Sequence, residues 1–466
     1  MICRQVCFTI SVSILLLCPK AEVIDENEIE RFCYPEQHKN TRKSCECSND
    51  NAPPWGIRAI NIDCSYKNLK NADFSEVLPL YVNLLDLSWN AMDLVPTLAS
   101  DSLRILNAMH NNISTISNKK FVKAANLRKL YLSWNSIQSI ELNAFDELVH
   151  LQVLDLSHNN LHTLGLQLFR SLLVLETLNL SWNRHLNQTE AIQEQDFYRT
   201  FGVNFKIRVL RLQACSLTDL VLPEKAPLVE LDLRHNKLEK IPSNLPSTLA
   251  KLDISENLFQ TFSPAITANL SATISELYVE DMPRLQSVEE NAFYPLTGLK
   301  KISFQNSRRL NKFSGHAFGA EASRFPELRT LIFRGTSVGS LNATLAPLFT
   351  KLAELDLNGM PLVCDCELVW IKEIKLDTKG RCFNPSRLRG ESMINVENSD
   401  FSCAHWPHWV AGLFIFALIL LCAAGIYAIV MCLRPNRGGV TLRRKVGSGS
   451  PYARVTIEPN RQENYY

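Results

Sequence analysis

Residues 127–137 read LRKLYLSWNSI, and residues 151–161 repeat the same spacing as LQVLDLSHNNL. In each stretch two leucines flank one other residue. Both leucines therefore point to one side of a short strand, and the middle residue points to the other side. A single unit of this kind cannot bury its leucines, whereas stacked units share one continuous apolar core. The two stretches predict a fold built from repeats and not from independent globular domains.

The template LxxLxLxxNxL recurs along most of the chain with a period of 21 to 32 residues. The position after the strand needs a polar side chain, because the backbone of the following turn is buried and requires hydrogen-bond partners. Asparagine suits this role. It is replaced near the C-terminal end, which predicts a looser C-terminal third. The twelve residues at this position are Asn90, Asn111, Asn135, Asn159, Asn183, Cys215, Asn236, Asn257, Met282, Ser307, Thr336 and Met360.

These repeats resemble the extracellular leucine-rich repeat family, and the resemblance extends over about Cys33 to Cys403. It implies an α/β leucine-rich repeat solenoid, which is curved and carries a parallel β-sheet on its concave face. We assign about twelve repeats to residues 67–360. Two interpretations stay open for an insertion that contains Gln188 to Phe205: a longer helix on the convex side, or a protruding binding loop. The expected aromatic filling of the convex side is Phe121, Phe145 and Phe169.

Eight of the 14 cysteines flank the repeats, four at each end. An even set in a secreted chain is typical of disulfide-bonded caps, and a solenoid needs caps because its terminal leucines would otherwise face water. The C-x-C spacing leaves zinc binding as the alternative. We assign the caps to residues 22–66 and 361–403. The family resemblance implies four disulfides, namely Cys33–Cys47, Cys45–Cys64, Cys364–Cys382 and Cys366–Cys403. Cys215 is expected to be a buried thiol, with an intermolecular disulfide as the alternative.

Two apolar segments predict the topology. Residues 1–21 have the features of a secretory signal peptide, with a short N-terminal membrane anchor as the alternative. Residues 410–432 carry no charge and are long enough to cross a bilayer. A tryptophan-containing juxtamembrane segment, 404–409, precedes them, and a short basic tail, 433–466, follows. The positive-inside rule therefore predicts a single-pass type I plasma-membrane protein with an extracellular N-terminus and a cytoplasmic C-terminus.

The sequence contains no common catalytic signature. It lacks the H-E-x-x-H zinc motif, a phosphate-binding loop and the G-x-S-x-G nucleophile elbow. The recurring aspartates occupy the middle of the leucine pairs, so their spacing reflects the repeat and not a catalytic pair. A net charge of +2 does not fit a polybasic nucleic-acid binder. We therefore predict no enzymatic activity, no cofactor, no metal site and no nucleic-acid partner.

A binding face on the strands is the main functional prediction. The outward strand positions carry mixed charges and aromatic rings, which are typical of protein–protein interfaces. An ordinary solvated sheet face is the alternative. The expected ligand is an extracellular or cell-surface protein. The candidate ligand-binding residues are Tyr131, Trp134, Trp182, Arg211, Asp232, Arg234, Asp253, Tyr278 and Glu280.

Glycosylation would limit access to this face. A glycan on Asn179, which occupies an outward strand position, would direct protein ligands toward the middle and later repeats. The five N-x-S/T sequons begin at Asn112, Asn179, Asn187, Asn269 and Asn342.

The tail contains one short motif, residues 452–455 with the sequence YARV, which resembles a tyrosine-based endocytic sorting signal. Tyr452, Tyr465 and Tyr466 are candidate phosphorylation and adaptor sites.

Two functions fit the whole chain. The first is a cell-surface receptor or adhesion protein, with homo- or hetero-association left open. The second is a co-receptor or antagonist that modulates a signalling receptor in cis.

Overall fold

The chain forms two units, Met1–Cys403 and Ala404–Tyr466, which are described separately. The first unit contains the repeats, and the second contains one long helix. The predicted signal peptide and residues 434–466 of the predicted tail, with the three tail tyrosines, lie outside the described residues. The computed structural model describes residues 45–49, 60–71, 82–98, 100–186, 196–374, 376–401, 403 and 408–433.

Short strands alternate with turns and brief helices throughout the first unit. In chain order the strands are β1 (Glu46–Asn49), β2 (Ile60–Asp63), β3 (Val82–Asp86), β4 (Ile105–Asn107), β5 (Thr115–Ile116), β6 (Lys129–Tyr131), β7 (Ser139–Ile140), β8 (Val153–Asp155), β9 (Thr177–Asn179), β10 (Val209–Arg211), β11 (Glu230–Asp232), β12 (Lys251–Asp253), β13 (Thr261–Phe262), β14 (Glu276–Tyr278), β15 (Ser287–Val288), β16 (Lys301–Ser303), β17 (Lys312–Phe313), β18 (Thr330–Ile332), β19 (Glu354–Asp356), β20 (Leu362–Val363) and β21 (Cys382–Asn384). The α-helices are α1 (Phe197–Phe201), α2 (Pro264–Thr267), α3 (Ala346–Phe349), α4 (Trp370–Glu373) and α5 (His408–Leu433).

One main sheet runs the length of the repeats and confirms the predicted parallel-sheet solenoid. It has 14 strands, in the order β1-β2-β3-β4-β6-β8-β9-β10-β11-β12-β14-β16-β18-β19. Only β1, at the N-terminal end, pairs antiparallel within this sheet. The other thirteen strands are parallel, one more than the twelve repeats expected. The additional strand is β2, which lies in the predicted N-terminal cap and pairs parallel with β3.

The core side of the sheet is a continuous column of aliphatic side chains. Leu130, Leu154, Leu178, Leu210 and Leu231 lie in consecutive register and are fully buried. Each such leucine contributes roughly 1.5–3 kcal/mol of burial free energy before chain entropy is subtracted. The residues on either side of each leucine point outward. The leucine spacing therefore determines which residues form the outward polar face, where the ligand is expected to bind.

The predicted asparagines bond the buried turns together. The Asn159 amide donates to the carbonyls of Leu132, Leu156 and Ser157 at 3.0, 3.0 and 3.1 Å. Its Oδ1 accepts from the Ile137 N–H of the preceding repeat at 3.0 Å. One side chain thus satisfies backbone groups of two repeats, which is the role expected of it.

Cys215 takes the asparagine position as a buried thiol. Its Sγ donates to the carbonyl of Leu180 at 3.3 Å. Burial raises the pKa of this thiol to about 12, so it keeps the proton that the hydrogen bond requires. The structure shows no disulfide at Cys215.

The C-terminal repeats replace the asparagines with weaker partners. Ser307 Oγ donates to the Val279 carbonyl at 3.0 Å and accepts from the Met282 N–H at 3.2 Å. Thr336 Oγ1 is buried and has no hydrogen-bond partner among the described residues. Phenylalanines pack around Phe293 in the same region, with ring centroids 5.3 to 6.0 Å away. The looser C-terminal third stays a prediction, and this aromatic packing opposes it.

The convex side is filled as the sequence indicated. Phe121, Phe145 and Phe169 are buried, with successive ring centroids 6.4 and 6.3 Å apart. In the insertion, α1 buries four of its five side chains. Gly202 ends α1 with φ of 70°, and a Cβ there would lie 2.9 Å from the Arg170 backbone nitrogen. The described part of the insertion is therefore a convex helix, and residues 187–195 lie outside the described ranges.

Disulfides are present in both caps. The structure contains Cys45–Cys64, Cys364–Cys382 and Cys366–Cys403, which are three of the expected pairs. Cys47 is also disulfide-bonded. Its expected partner, Cys33, lies outside the described residues. The buried Trp370 indole donates to the Leu341 carbonyl at 3.1 Å and joins the C-terminal cap to the repeats.

The second unit contains the 26-residue helix α5. Its stretch Gly412–Met431 is apolar and long enough to cross a membrane. This stretch lies within the predicted segment 410–432, and the orientation of the helix in a membrane stays a prediction.

Candidate binding face

The outward residues of the sheet form columns that cross the strands. Arg211, Asp232, Asp253 and Tyr278 are direct register partners on β10, β11, β12 and β14. Residues two positions further along, such as Arg234 and Glu280, form a parallel column. Alternation along each strand thus brings residues from separate repeats onto one surface.

These columns enclose a depression in the middle of the face, with a volume of about 390 Å³. We call it the central depression. It brings together six of the nine predicted binding residues. It is lined by Arg211, Glu230, Leu231, Asp232, Arg234, Lys251, Asp253, Tyr278 and Glu280.

Glu230 joins two cations at one end of the central depression. Its Oε1 lies 3.0 Å from Arg211 Nη2 and 3.7 Å from Lys251 Nζ. All three side chains are half-buried. Such pairs at a partly solvated surface contribute little to stability, and their effect is mainly to orient the side chains.

Arg234 joins two aspartates in the middle of the central depression. It binds the buried Asp232 carboxylate through Nη2 at 2.8 Å and through Nε at 3.1 Å. Its Nε also lies 3.3 Å from Asp253 Oδ2, on the next strand. The hydrogen bond to Asp232 raises the pKa of Arg234. The guanidinium therefore stays charged and is held mainly by one of its two carboxylates.

Hydroxyl groups bind the carboxylates at the other end. Ser303 Oγ donates to Glu280 Oε1 at 2.5 Å, and the Tyr278 hydroxyl donates to Glu276 Oε2 at 2.9 Å. Lys301 Nζ lies 4.9 Å from the centre of the Tyr278 ring. Burial, followed by the bond to Glu276, raises the pKa of Tyr278, so its proton remains available for donation.

Trp134 and Trp182 do not line the central depression, although they were predicted to belong to the same face. Each precedes the asparagine position with a left-handed φ, 55° for Trp134 and 62° for Trp182. This conformation directs the rings into a stack beside the sheet. Tyr131 does lie in an outward column, but three strands before β10.

The stacked rings form what we call the aromatic column. Adjacent ring centroids are 3.6 to 5.4 Å apart, and their planes differ by 9 to 24°. The sequence shows a ring before the asparagine position in repeat after repeat, but this spacing did not by itself indicate stacking. The column consists of Tyr66, Trp89, His110, Trp134, His158, Trp182 and His235.

Acid is expected to weaken the aromatic column. Burial lowers the pKa of His110 and of His158, and for His158 the nearby Asp155 partly opposes this effect. A histidine with a lowered folded-state pKa stabilises the fold above about pH 6.5 and loses that contribution as the pH falls further. We expect a steeper fall in unfolding temperature from about pH 7 to pH 5 in the natural chain than in His110→Phe/His158→Phe. Equal slopes would contradict this expectation.

The sequons differ in their exposure. Asn112, Asn269 and Asn342 are exposed, and Asn187 lies outside the described residues. Asn179 is half-buried, and its Oδ1 accepts from the Ser181 N–H at 3.1 Å. It is the register partner of Arg211, so a glycan there would border the central depression. The use of these sites stays a prediction.

No metal site is apparent in the described part of the chain. Over those ranges, no group of three or more His, Cys, Asp or Glu side chains is placed to hold a metal ion. The absence of catalysis, cofactors and metals stays a prediction.

Comparison with known proteins supports the leucine-rich repeat family. Leucine-rich repeat models match residues 101–161 and 125–184, and another matches 227–247. A model of the BspA-type leucine-rich repeat region matches residues 268–333. These matches follow the same repeats that form the main sheet.

Two curated relatives share part of the repeats. Nephrocan from Mus musculus is 24% identical over 199 residues, which cover 38% of this chain and 38% of Nephrocan. Toll-like receptor 2 from Cricetulus griseus is 27% identical over 229 residues, covering 46% of this chain and 26% of the receptor. The matches thus span well under half the length of either relative.

A solved structure confirms the fold. The crystal structure of the mouse RP105/MD-1 complex contains a chain that matches with a TM-score of 0.52 and 20% identity. The match covers 72% of this chain and 54% of that chain. At this level of identity the likeness establishes the leucine-rich repeat solenoid and nothing about the ligand.

Proposed function

We propose that this chain is a cell-surface receptor or adhesion protein without catalytic activity, which binds a protein ligand on the concave sheet. The observation that carries the proposal is the central depression, because it gathers charged and aromatic side chains from four strands, β10, β11, β12 and β14, and from the turns that follow β11 and β14. Interfaces commonly combine such anchors with a polar rim.

The relatives support the proposal without identifying the ligand. One similar protein is named a receptor, Toll-like receptor 2, and RP105 was crystallised in a complex with MD-1. Repeat solenoids in general offer extended surfaces for binding.

A co-receptor or antagonist acting in cis is the second candidate. A separate ion pair on the same sheet favours it: Arg334 Nη2, in the turn after β18, lies 2.8 Å from Asp356 Oδ2 on β19, beyond the central depression. Charged groups thus continue along the sheet beyond the central depression, where a second partner would bind. Cell aggregation on expression would favour the adhesion role, and a ligand effect that survives removal of residues 433–466 would favour the co-receptor role.

The proposed location is the plasma membrane. The support comes from the apolar stretch Gly412–Met431, the signal-like residues 1–21 and the basic residues after the helix. The proposed orientation places the repeats outside the cell. The tail tyrosines Tyr452, Tyr465 and Tyr466 would then face cytoplasmic adaptors.

A glycan placed in the central depression will test the proposed binding site. Asp253→Asn creates the sequon Asn-Ile-Ser and preserves the Oδ1 that accepts from the Ser255 N–H at 3.1 Å. We expect the glycosylated full-length chain to lose binding by about 100-fold to a ligand identified from individually expressed surface and secreted proteins, because the glycan fills the contact surface. The measurement is ligand binding at the cell surface, with glycan occupancy read from the mass shift.

The control is a glycan at the same repeat position outside the central depression. Asp155→Asn creates Asn-Leu-Ser, and Asp155 Oδ1 likewise accepts from the Ser157 N–H at 2.9 Å. Binding should persist in this variant. Enzymatic cleavage of the glycan amide in the Asp253→Asn chain converts the glycosylated asparagine back to aspartate, and it should restore binding. Full binding by the glycosylated Asp253→Asn chain would contradict the proposal.

A further inference from the structure

Charge is distributed unevenly along the central depression. At one end, Arg211 and Lys251 share the single carboxylate of Glu230. From the middle toward the other end, the depression is lined by three carboxylates, Asp232, Asp253 and Glu280, and by the Arg234 guanidinium, which pairs with the two aspartates. The first end therefore has an excess of positive charge, and the second an excess of negative charge.

Glu280 contributes an unneutralised carboxylate to the negative end. Its side chain accepts a hydrogen bond from the Ser303 hydroxyl, and no cation lies within 4.0 Å of it among the described residues. In its column the flanking strands carry Ser255 and Gln305, both uncharged. A hydroxyl stabilises a carboxylate but leaves its charge in place.

The Asp253 carboxylate at this end is only partly neutralised. Asp232 takes two hydrogen bonds from the Arg234 Nε and Nη2, whereas Asp253 has one longer approach of 3.3 Å. In register, Asp253 lies between another carboxylate, Asp232, and the Tyr278 ring. Half-burial and the nearby Asp232 both favour a cation from outside the chain.

We propose that the Asp253–Glu280 end of the central depression receives a basic side chain, lysine or arginine, from the protein ligand. The inference rests on the proposed function and names the chemistry of the ligand at that site. Two carboxylates at one end match a guanidinium or ammonium group. The positive Arg211–Lys251 end disfavours the opposite orientation of the same ligand.

Protonation of Asp253 makes this binding sensitive to pH. Burial raises the pKa of Asp253 to about 6, and the neighbouring Asp232 adds to this effect while the hydrogen bonds from Ser255 and the charge of Arg234 oppose it. The charged and titratable groups around Asp253 are Asp232 and Arg234 from β11 and its turn, Lys251 and Glu256 beside β12, and Glu276, Tyr278 and Glu280 at β14. A bound cation favours the ionised carboxylate. Binding therefore weakens as the pH falls below about 6.

A pair of small probes will test the proposal on the full-length chain in detergent. N-acetyl-arginine amide carries the guanidinium, and N-acetyl-citrulline amide is its uncharged analogue. We expect the natural chain to bind the arginine probe about tenfold more tightly at pH 7.4, the effect of one charge-assisted hydrogen-bonded contact, and to lose most of this preference at pH 5. Saturation-transfer NMR titrations measure both affinities.

Substitutions locate the effect. Glu280→Gln and Asp253→Ser should each reduce the preference to about twofold or less. Glu354→Gln removes an exposed carboxylate from β19 on the same sheet and should leave the preference unchanged.

Equal binding of the two probes by the natural chain would overturn the proposal, and so would a preference that survives both substitutions. Because the probes need no protein ligand, such a result leaves the proposed binding face standing. Conversely, a protein ligand that binds outside the central depression would contradict the proposed binding face but not the cation site.

Discussion

Replacement of Asn257 by alanine is expected to lower the free energy of unfolding by about 4 kcal/mol. The Asn257 side chain is fully buried, and its amide donates to the carbonyls of Leu233, Ile254 and Ser255 at 2.9, 2.9 and 3.1 Å. Its Oδ1 accepts from the Leu238 N–H at 3.0 Å. Alanine leaves these buried backbone groups without partners, which costs more than the hydrogen bonds contributed. Denaturant unfolding of the full-length chain measures the effect.

Thr336 supplies the matched control, because it occupies the same repeat position as Asn257. Its buried Oγ1 has no partner among the described residues. Thr336→Val removes that hydroxyl at nearly constant volume and should stabilise the chain by up to about 1 kcal/mol. A similar loss of stability in both variants would show that side-chain hydrogen bonding does not distinguish the two halves of the solenoid.

Phe293→Ala is expected to destabilise the C-terminal repeats by about 4 kcal/mol. The ring is fully buried, and it contacts Phe262, Phe304 and Phe318 with centroids 6.0, 5.8 and 5.3 Å away. Alanine leaves a cavity that rings from several repeats border, so the surrounding structure cannot readily close it. Hydrogen exchange should show the loss of protection concentrated between β13 and β18.

The control for Phe293 is an exposed phenylalanine in the C-terminal cap. Phe383 is 43% exposed, and Phe383→Ala should cost under about 1 kcal/mol. If Phe293→Ala costs no more than Phe383→Ala, the aromatic packing does not hold these repeats together. In that case the loss of the asparagine hydrogen bonds at Met282, Ser307 and Thr336 would dominate, as the sequence alone predicts.

The repeats could be predicted because their signal is local. Each leucine pair and its asparagine lie within eleven residues, so one stretch already predicts the strand, the buried side and the turn. The first parallel strand, β2, was missed because it lacks this local signal. It reads INID, with isoleucines in place of leucines, and Lys67 stands near the position where later repeats have asparagine.

The binding site could be predicted only in part. Alternation along the strands predicted that Arg211, Asp232 and Asp253 would face outward together, and their register agrees. Alternation does not predict which cation approaches which carboxylate. The sharing of Arg234 between Asp232 and Asp253 depends on side-chain conformations across strands. The aromatic column was missed because the left-handed turn, which redirects Trp134 and Trp182, is not visible in the leucine spacing.

A structure of the full-length chain bound to its protein ligand is the most direct test of the proposed binding site. We predict that the ligand covers the central depression and places a lysine or arginine side chain within about 4 Å of Asp253 and Glu280, at the distance of an ion pair. A ligand that contacts only the convex side or the aromatic column, with the central depression open to solvent, would contradict it.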